Sequence, residues 1–297
     1  MSLNKMRHLN LLLIMLLVLP LLNACSNVAN GVTSNRGQST YDRVMQSGKI
    51  RCGYLVYPPG CIKDPNSGKL SGIGIDTIEL VAKKLGLTVE WTEEVGWGTM
   101  LEGFATGRYD LIPTPVWTNA NRAKVINFSK PLFYSPVYVF CRKGDTRFKN
   151  HWGLINSPKV KIATIDGGTV EVIAQDDFPQ AKHLSMPQLT DIAQLLLTVS
   201  TGKADVTFTE PTIADRYIQN NPGTVQNINP DKPIRVFASS WMLKRGEFEF
   251  KAMLDTVLDE VINSGAMDKI IARYERKPNE VLRVSLPYQL PGLNNKK

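Results

Sequence analysis

From Gly48 onward, short β-branched runs alternate with segments whose apolar residues recur at helical spacing, and this alternation restricts the fold more than any other feature of the 297-residue chain. It predicts an α/β architecture. "KIRCGYLV" reads as a first strand. "IDTIELVAKKLG" reads as a helix with Ile78, Val81, Ala82 and Leu85 on one face, Asp76 and Glu79 placed to cap it, and Gly86 ending it. "LTVEWTE" is a second strand, "GTMLEGFATG" a short helix, and "YDLIPT" a third strand.

A new set follows residue 140. "VKIATI" is a strand, and "DGGTVEVIAQDDF" a glycine turn that opens a helix. "TDIAQLLLTVSTG" carries Ile192, Leu195, Leu196 and Val199 at helical spacing, and "ADVTFTE" alternates like a strand that ends at Glu210. Pro211 then starts a helix, where a missing N–H costs nothing. Phe250, Met253, Leu254, Val257, Leu258, Val261 and Ile262 form a core-facing stripe that Met267, Ile270, Ile271 and Tyr274 repeat after Gly265.

The first residues, "MSLNKMRHLNLLLIMLLVLPLLNAC", have a basic start and an apolar core from Leu11 to Leu22, as a secretory signal has. "LNAC" resembles the lipobox of bacterial lipoproteins, which implies cleavage after residue 24, acylation of Cys25 and a membrane anchor. Residues 25–37, small and polar, read as a flexible tether. The remainder has globular composition and no apolar run long enough for a membrane helix.

The formal net charge of +8 falls to +6 when Lys5 and Arg7 leave with the signal. No Lys/Arg run interleaved with aromatics accompanies it, so no nucleic-acid partner is expected. His8, His151 and His183 neither cluster with cysteines nor show ligand spacing, and neither a metal nor a cofactor is expected. In an oxidising compartment Cys52 and Cys61 are placed to close the loop "GYLVYPPG" as a disulfide, leaving Cys141 free; spacing alone does not fix that pairing.

Five landmarks in one order, "GIGIDTIELVAKKLG", "GRYDLIPTPVWTNANRAKVINFSKPLFY", "IDGGT", "GKADVTFTEP" and "SGAMDKIIARYE", resemble the bacterial extracellular solute-binding proteins of the amino-acid class, the two-lobed type II periplasmic binding proteins of ABC importers. The resemblance runs from Gly48 to Tyr274. It implies two α/β domains joined by two hinge crossings with a ligand cleft between them: domain 1 from 38–136 plus 238–297, and domain 2 from 137–237. "FSKPLFYSPVYVF" is similar to the first crossing and "PIRVFASSWMLKRG" to the return.

The same resemblance implies a site. Arg122 stands where a guanidinium clamps a ligand carboxylate through two parallel charge-assisted hydrogen bonds. Gly168 and Thr169 open a helix whose N–H groups meet the same anion. Glu210, at a strand end, stands where relatives often use aspartate to accept an α-amino group. Tyr57 and Trp97 match positions of aromatic rings against the ligand. Three residues depart from the pattern: Trp117 replaces a small hydroxyl residue, Asn119 a threonine, and Asp166 a lysine or other polar residue. They imply a bulkier, more aromatic and more acidic cleft, suited to an amine by cation–π contact.

The expected function is binding without chemistry, with a monomeric protein taking up an amino acid or related amine and docking on an ABC transporter permease. Two alternatives stay open. The fold also resembles cyclohexadienyl dehydratases, for which Glu210 would be the general acid, and similar domains serve as ligand sensors.

Overall fold

The computed structural model describes residues 38–149, 151–188, 190–278 and 280–284. The expected signal, tether and lipidated Cys25 lie outside them. In chain order the elements are α1 (Thr40–Ser47), β1 (Lys49–Tyr54), β2 (Ile62–Lys63), β3 (Leu70–Ser71), α2 (Ile73–Lys84), β4 (Thr88–Glu94), α3 (Glu102–Thr106), β5 (Leu111–Trp117), α4 (Ala120–Ala123), β6 (Ile126–Phe128) and β7 (Phe133–Arg142). There follow β8 (Lys161–Ile165), α5 (Thr169–Asp177), β9 (Lys182–Met186), α6 (Ala193–Ser200), β10 (Val206–Thr209), α7 (Pro211–Asn220), β11 (Val225–Asn227), β12 (Arg235–Lys244), α8 (Phe248–Asn263), α9 (Ala266–Tyr274) and β13 (Leu282–Arg283).

Paired strands run in the order β4, β1, β5, β12, β7, β10, β8, β9, with β6 on β12 and both β11 and β13 on β7. The two long strands in the middle make the crossings. Phe133–Val137 of β7 pairs antiparallel with Arg235–Ser239 of β12; beyond that, β7 runs beside β10 through Tyr138–Cys141, and β12 runs beside β5 as far as Leu243. At the near end of β7, Phe133 and Tyr134 also pair with Arg283 and Leu282 of β13.

Each side of the crossings has its own core. One buried apolar group draws only on residues from Val137 to Ile228, while the others draw on residues up to Phe133 and from Trp241 onward. The outer strand pairs β1–β4, β1–β5, β8–β9 and β8–β10 are parallel, and helices pack against them, as a parallel sheet requires on both faces. This is the α/β architecture expected from the alternating pattern, in the two-lobed arrangement that the resemblance implied. The C-terminal stripe follows the sequence: Phe250, Leu254, Val257, Leu258, Val261 and Ile262 are buried along α8. Each such side chain contributes about 1.5–3 kcal/mol of hydrophobic stabilisation.

Two local expectations are corrected. The helix expected near 75 begins at Ile73, with Gly72 as its N-cap and no capping side chain. Asp76 instead accepts the Tyr274 phenol at 2.8 Å and pairs with Arg273 at 3.1 Å, so it joins α2 to α9. The early start depends on Gly74, where an added Cβ would lie 2.0 Å from the Pro113 carbonyl oxygen and 2.5 Å from Pro115.

The Cys52–Cys61 bridge is not formed, and Cys52, Cys61 and Cys141 are separate buried thiols. Cys52 points into the core behind β1. Within the loop that a disulfide was to close, the turn from Tyr57 to Cys61 is pinned by backbone, through reciprocal hydrogen bonds of 2.9 and 3.0 Å. The Cys61 thiol turns towards Thr114, and burial pushes it up to about 11.

Candidate ligand-binding site

A cavity of about 100 Å³ opens beside the crossings. Tyr57, Trp97, Val116, Trp117 and Arg122 wall it from the first side; from the other come the loop Ile165–Val170, then Gln188, Thr190, Ile192, Phe208 and Thr209. Open α/β sheets bind ligands outside the carboxyl ends of their strands, and β5, β8 and β10 all end here.

Arg122 is positioned by its own short helix. Asn119, extended at the N-cap of α4, accepts the Arg122 backbone N–H through Oδ1 at 2.9 Å. This gives Asn119 the capping role for which its residue type is suited. The guanidinium donates from Nη1 to the Trp117 carbonyl at 3.2 Å and lies with Cζ 5.5 Å from the Trp97 ring centroid. Trp97 in turn meets Tyr57 edge to face at 5.3 Å. Burial lowers the Arg122 pKa from its ordinary value, but an arginine retains its charge at neutral pH.

The N-terminus of α5 faces the same cavity. Gly167 adopts φ +66°, a left-handed conformation that turns the chain out of β8 into the helix. Its N–H is taken by Glu171 Oε2 at 2.8 Å, and the Gly168 N–H by the Ile165 carbonyl at 2.9 Å. The N–H groups of Thr169 and Val170, in the first turn, have no acceptor within the helix and stand at the positive end of its dipole. Asp166 is exposed at the rim and accepts the Ser185 hydroxyl. Among the described residues it is the one acidic side chain in the cavity wall.

Glu210 lies elsewhere. It is buried behind the aromatic wall, in a recess with Ser135, Ser239 and Glu280. Trp117 Nε1 donates to its Oε1 at 2.7 Å, and the Tyr57 phenol donates to Oε2. Burial pushes the Glu210 carboxyl above its ordinary value, although Tyr57, Ser135 and Trp117 act in the opposite direction by hydrogen bonding to it. Burial, together with the neighbouring carboxylate, raises the Tyr57 phenol well above its ordinary value, so it remains a donor. Trp117 is held by stacking on Phe237, with centroids 4.9 Å apart and planes 15° from parallel.

The structure therefore gathers Tyr57, Trp97, Trp117, Arg122, Asp166, Gly168 and Thr169 around one cavity and sets Glu210 outside its wall. The sequence reading missed Gln188, Thr190, Ile192, Phe208 and Thr209. Only the last two carried a signal, as the final residues of an alternating strand at the cavity end of the sheet.

A family model for bacterial extracellular solute-binding proteins, family 3, matches residues 50–277. The chain belongs to this family. This solute-binding protein is 30% identical over 263 residues to a probable amino-acid-binding protein of Bacillus subtilis, YxeM, covering 88% of the present chain and 93% of the relative. It is 25% identical over 248 residues to the cyclohexadienyl dehydratase of Pseudomonas aeruginosa, covering 82% and 89%. Among solved structures it resembles an ancestral amino-acid-binding protein described as a precursor of cyclohexadienyl dehydratase. That likeness has a TM-score of 0.65 and 25% identity, and covers 80% of this chain and 99% of that one. Among the described residues no helix is long and apolar enough to cross a membrane.

Proposed function

We propose that this protein captures a small carboxylate-bearing solute, of the amino-acid class named for its relatives, in the cavity between its lobes and hands it to an ABC transporter permease. One observation carries the reading: Arg122 and the N-terminus of α5 face a single cavity from opposite sides. Two cationic or donor-rich elements that converge on one point suit an anion. Closing the lobes would bring both onto it, by the hinge motion that two-lobed binding proteins use.

The lobes in this reading are 38–136 plus 238–297 and 137–237, the protein is a monomer, and Cys25 carries a lipid that holds it at the outer face of a membrane. A thermal-shift screen against amino acids tests the binding. A ligand at about 100 times its Kd adds about 2.7 kcal/mol, enough for a shift of several degrees. Absence of any shift with carboxylate-bearing solutes would overturn the reading.

A second reading has one observation in its favour. The Glu210 carboxyl is buried and raised, as a general acid has to be to hold a proton at neutral pH. Together with the dehydratase relative, this supports a cleft that eliminates water and carbon dioxide from prephenate or arogenate. Against it, both Glu210 oxygens accept hydrogen bonds from side chains and the carboxyl does not line the cavity. Formation of the dehydrated product by wild type but not by Glu210→Gln would establish it.

A further inference from the structure

We infer that the cavity recognises its ligand through the carboxylate and an apolar body, without reading an α-amino group, so that it accepts carboxylic acids lacking that amine. The inference rests on the carboxylate-binding reading of the same cavity and deepens it. Recognition of a ligand ammonium needs a desolvated carboxylate that faces the cavity beside the carboxylate clamp. Glu210, the acid nearest to that role by its place at the end of β10, has no face on the cavity, and each of its oxygens is already engaged by a protein donor. Trp117 Nε1 holds Oε1 at 2.7 Å, the Tyr57 phenol holds Oε2, and these two donors stand between the acid and the cavity as part of its wall.

Both donors come from the side of the crossings opposite to Glu210. The acid is thus a clasp between lobes, satisfied by the protein itself. Its burial, which keeps water from competing, strengthens that role.

Asp166 does not replace it. It is exposed at the rim, its Oδ1 accepts the Ser185 hydroxyl, and a water-screened carboxylate gains little from pairing with a cation. The rest of the wall suits a carbon skeleton. Trp97, Ile165, Ile192 and Phe208 present apolar surface next to the anion end, and Gln188 and Thr190 add neutral polar groups.

The test is calorimetric titration of the full chain, freed of bound solute, with matched pairs that differ by the α-amine alone: L-phenylalanine and 3-phenylpropanoate, L-leucine and 4-methylpentanoate, L-arginine and 5-guanidinopentanoate. We expect a pair whose amine-free member binds within about tenfold of the amino acid, the scale of a screened charge. A desolvated acid reading the amine would instead impose a loss on the order of 100-fold or more. Glu210→Gln adds a second measurement: as a clasp it changes both members of a pair by the same factor, whereas an amine-reading acid weakens the amino acid selectively. Binding of amino acids alone, or a selective effect of E210Q, overturns this inference and leaves carboxylate capture standing. Binding of neither member of any pair overturns both.

Discussion

The indole N–H of Trp117 lies 2.7 Å from Oε1 of Glu210, joining the end of β5 to the end of β10 across the crossings. Trp117→Phe keeps an aromatic ring to stack on Phe237 but removes the indole donor along with part of the ring's bulk. A buried acceptor left without its partner costs about 1–3 kcal/mol. Urea unfolding should show a loss of that size, and small-angle scattering a larger radius of gyration; an unchanged midpoint would mean that the contact holds nothing together.

The same carboxyl sets a pH dependence. Burial raises the Glu210 pKa above its ordinary 4.5, so the folded protein keeps a proton that the unfolded chain releases. The stability this provides is full below about 4.5 and is lost as pH rises through the raised value. Glu210→Gln has no such loss. Its stability relative to wild type should therefore increase with pH when urea midpoints are compared from about pH 4 to about pH 8. A difference that stays flat would show that the group does not titrate in this range.

Arg122 should govern affinity without governing the fold, because its side chain contacts the Trp117 carbonyl and the Trp97 ring at the cavity edge and belongs to no core. Hydrogen bonds to a charged partner contribute about 1.5–3 kcal/mol each. Arg122→Ala should therefore weaken a carboxylate ligand by about 100-fold or more in titration calorimetry, with far-ultraviolet dichroism unchanged. Arg122→Lys, which keeps the charge and loses the fork, should fall between.

Gly74→Ala tests the packing of α2 on β5. The added methyl carbon meets the Pro113 carbonyl oxygen at 2.0 Å, and backbone on one side and a proline ring on the other leave nothing flexible to yield. Overpacking of this kind costs about 1–3 kcal/mol or more. Thermal unfolding should report it as a lowered Tm.

The thiols of Cys52, Cys61 and Cys141 should resist an aromatic disulfide reagent in the native protein and react on unfolding. All three are buried, and burial raises each of them above the ordinary thiol value. Reaction of Cys61 in the native state would show that its loop opens.

The architecture was legible because period-two and helical patterns report which face of each element is buried, whereas the two crossings, β7 and β12, were placed by the family resemblance. The cavity was legible as far as the family pattern reaches: Arg122 by its place in that pattern, and Gly168 and Thr169 at a helix start. Glu210 was not. Its neighbours Trp117 and Tyr57 lie 93 and 153 residues away, and no local pattern announces that two distant donors will occupy a carboxylate. Asp76 misled for a similar reason, because an acid in a first turn looks like a cap until a phenol from α9 arrives to claim it. The loop around Gln188 and Thr190 has no periodicity to read.

The crossing ribbon is not equally stiff along its length. Phe133 and Tyr134 are gripped from both edges, by Ser239 and Ala238 and by Arg283 and Leu282, whereas Ser135–Val137 carries a ladder to β12 alone among the described residues. Pro136 has no N–H to offer a further neighbour. A ribbon splinted at one end and bare beyond it creases at the end of the splint. In the lobe-closing reading the swing of the second lobe is expected to pivot at Ser135–Val137, with the last described stretch of chain, none of whose residues lines the cavity, setting where the molecule bends.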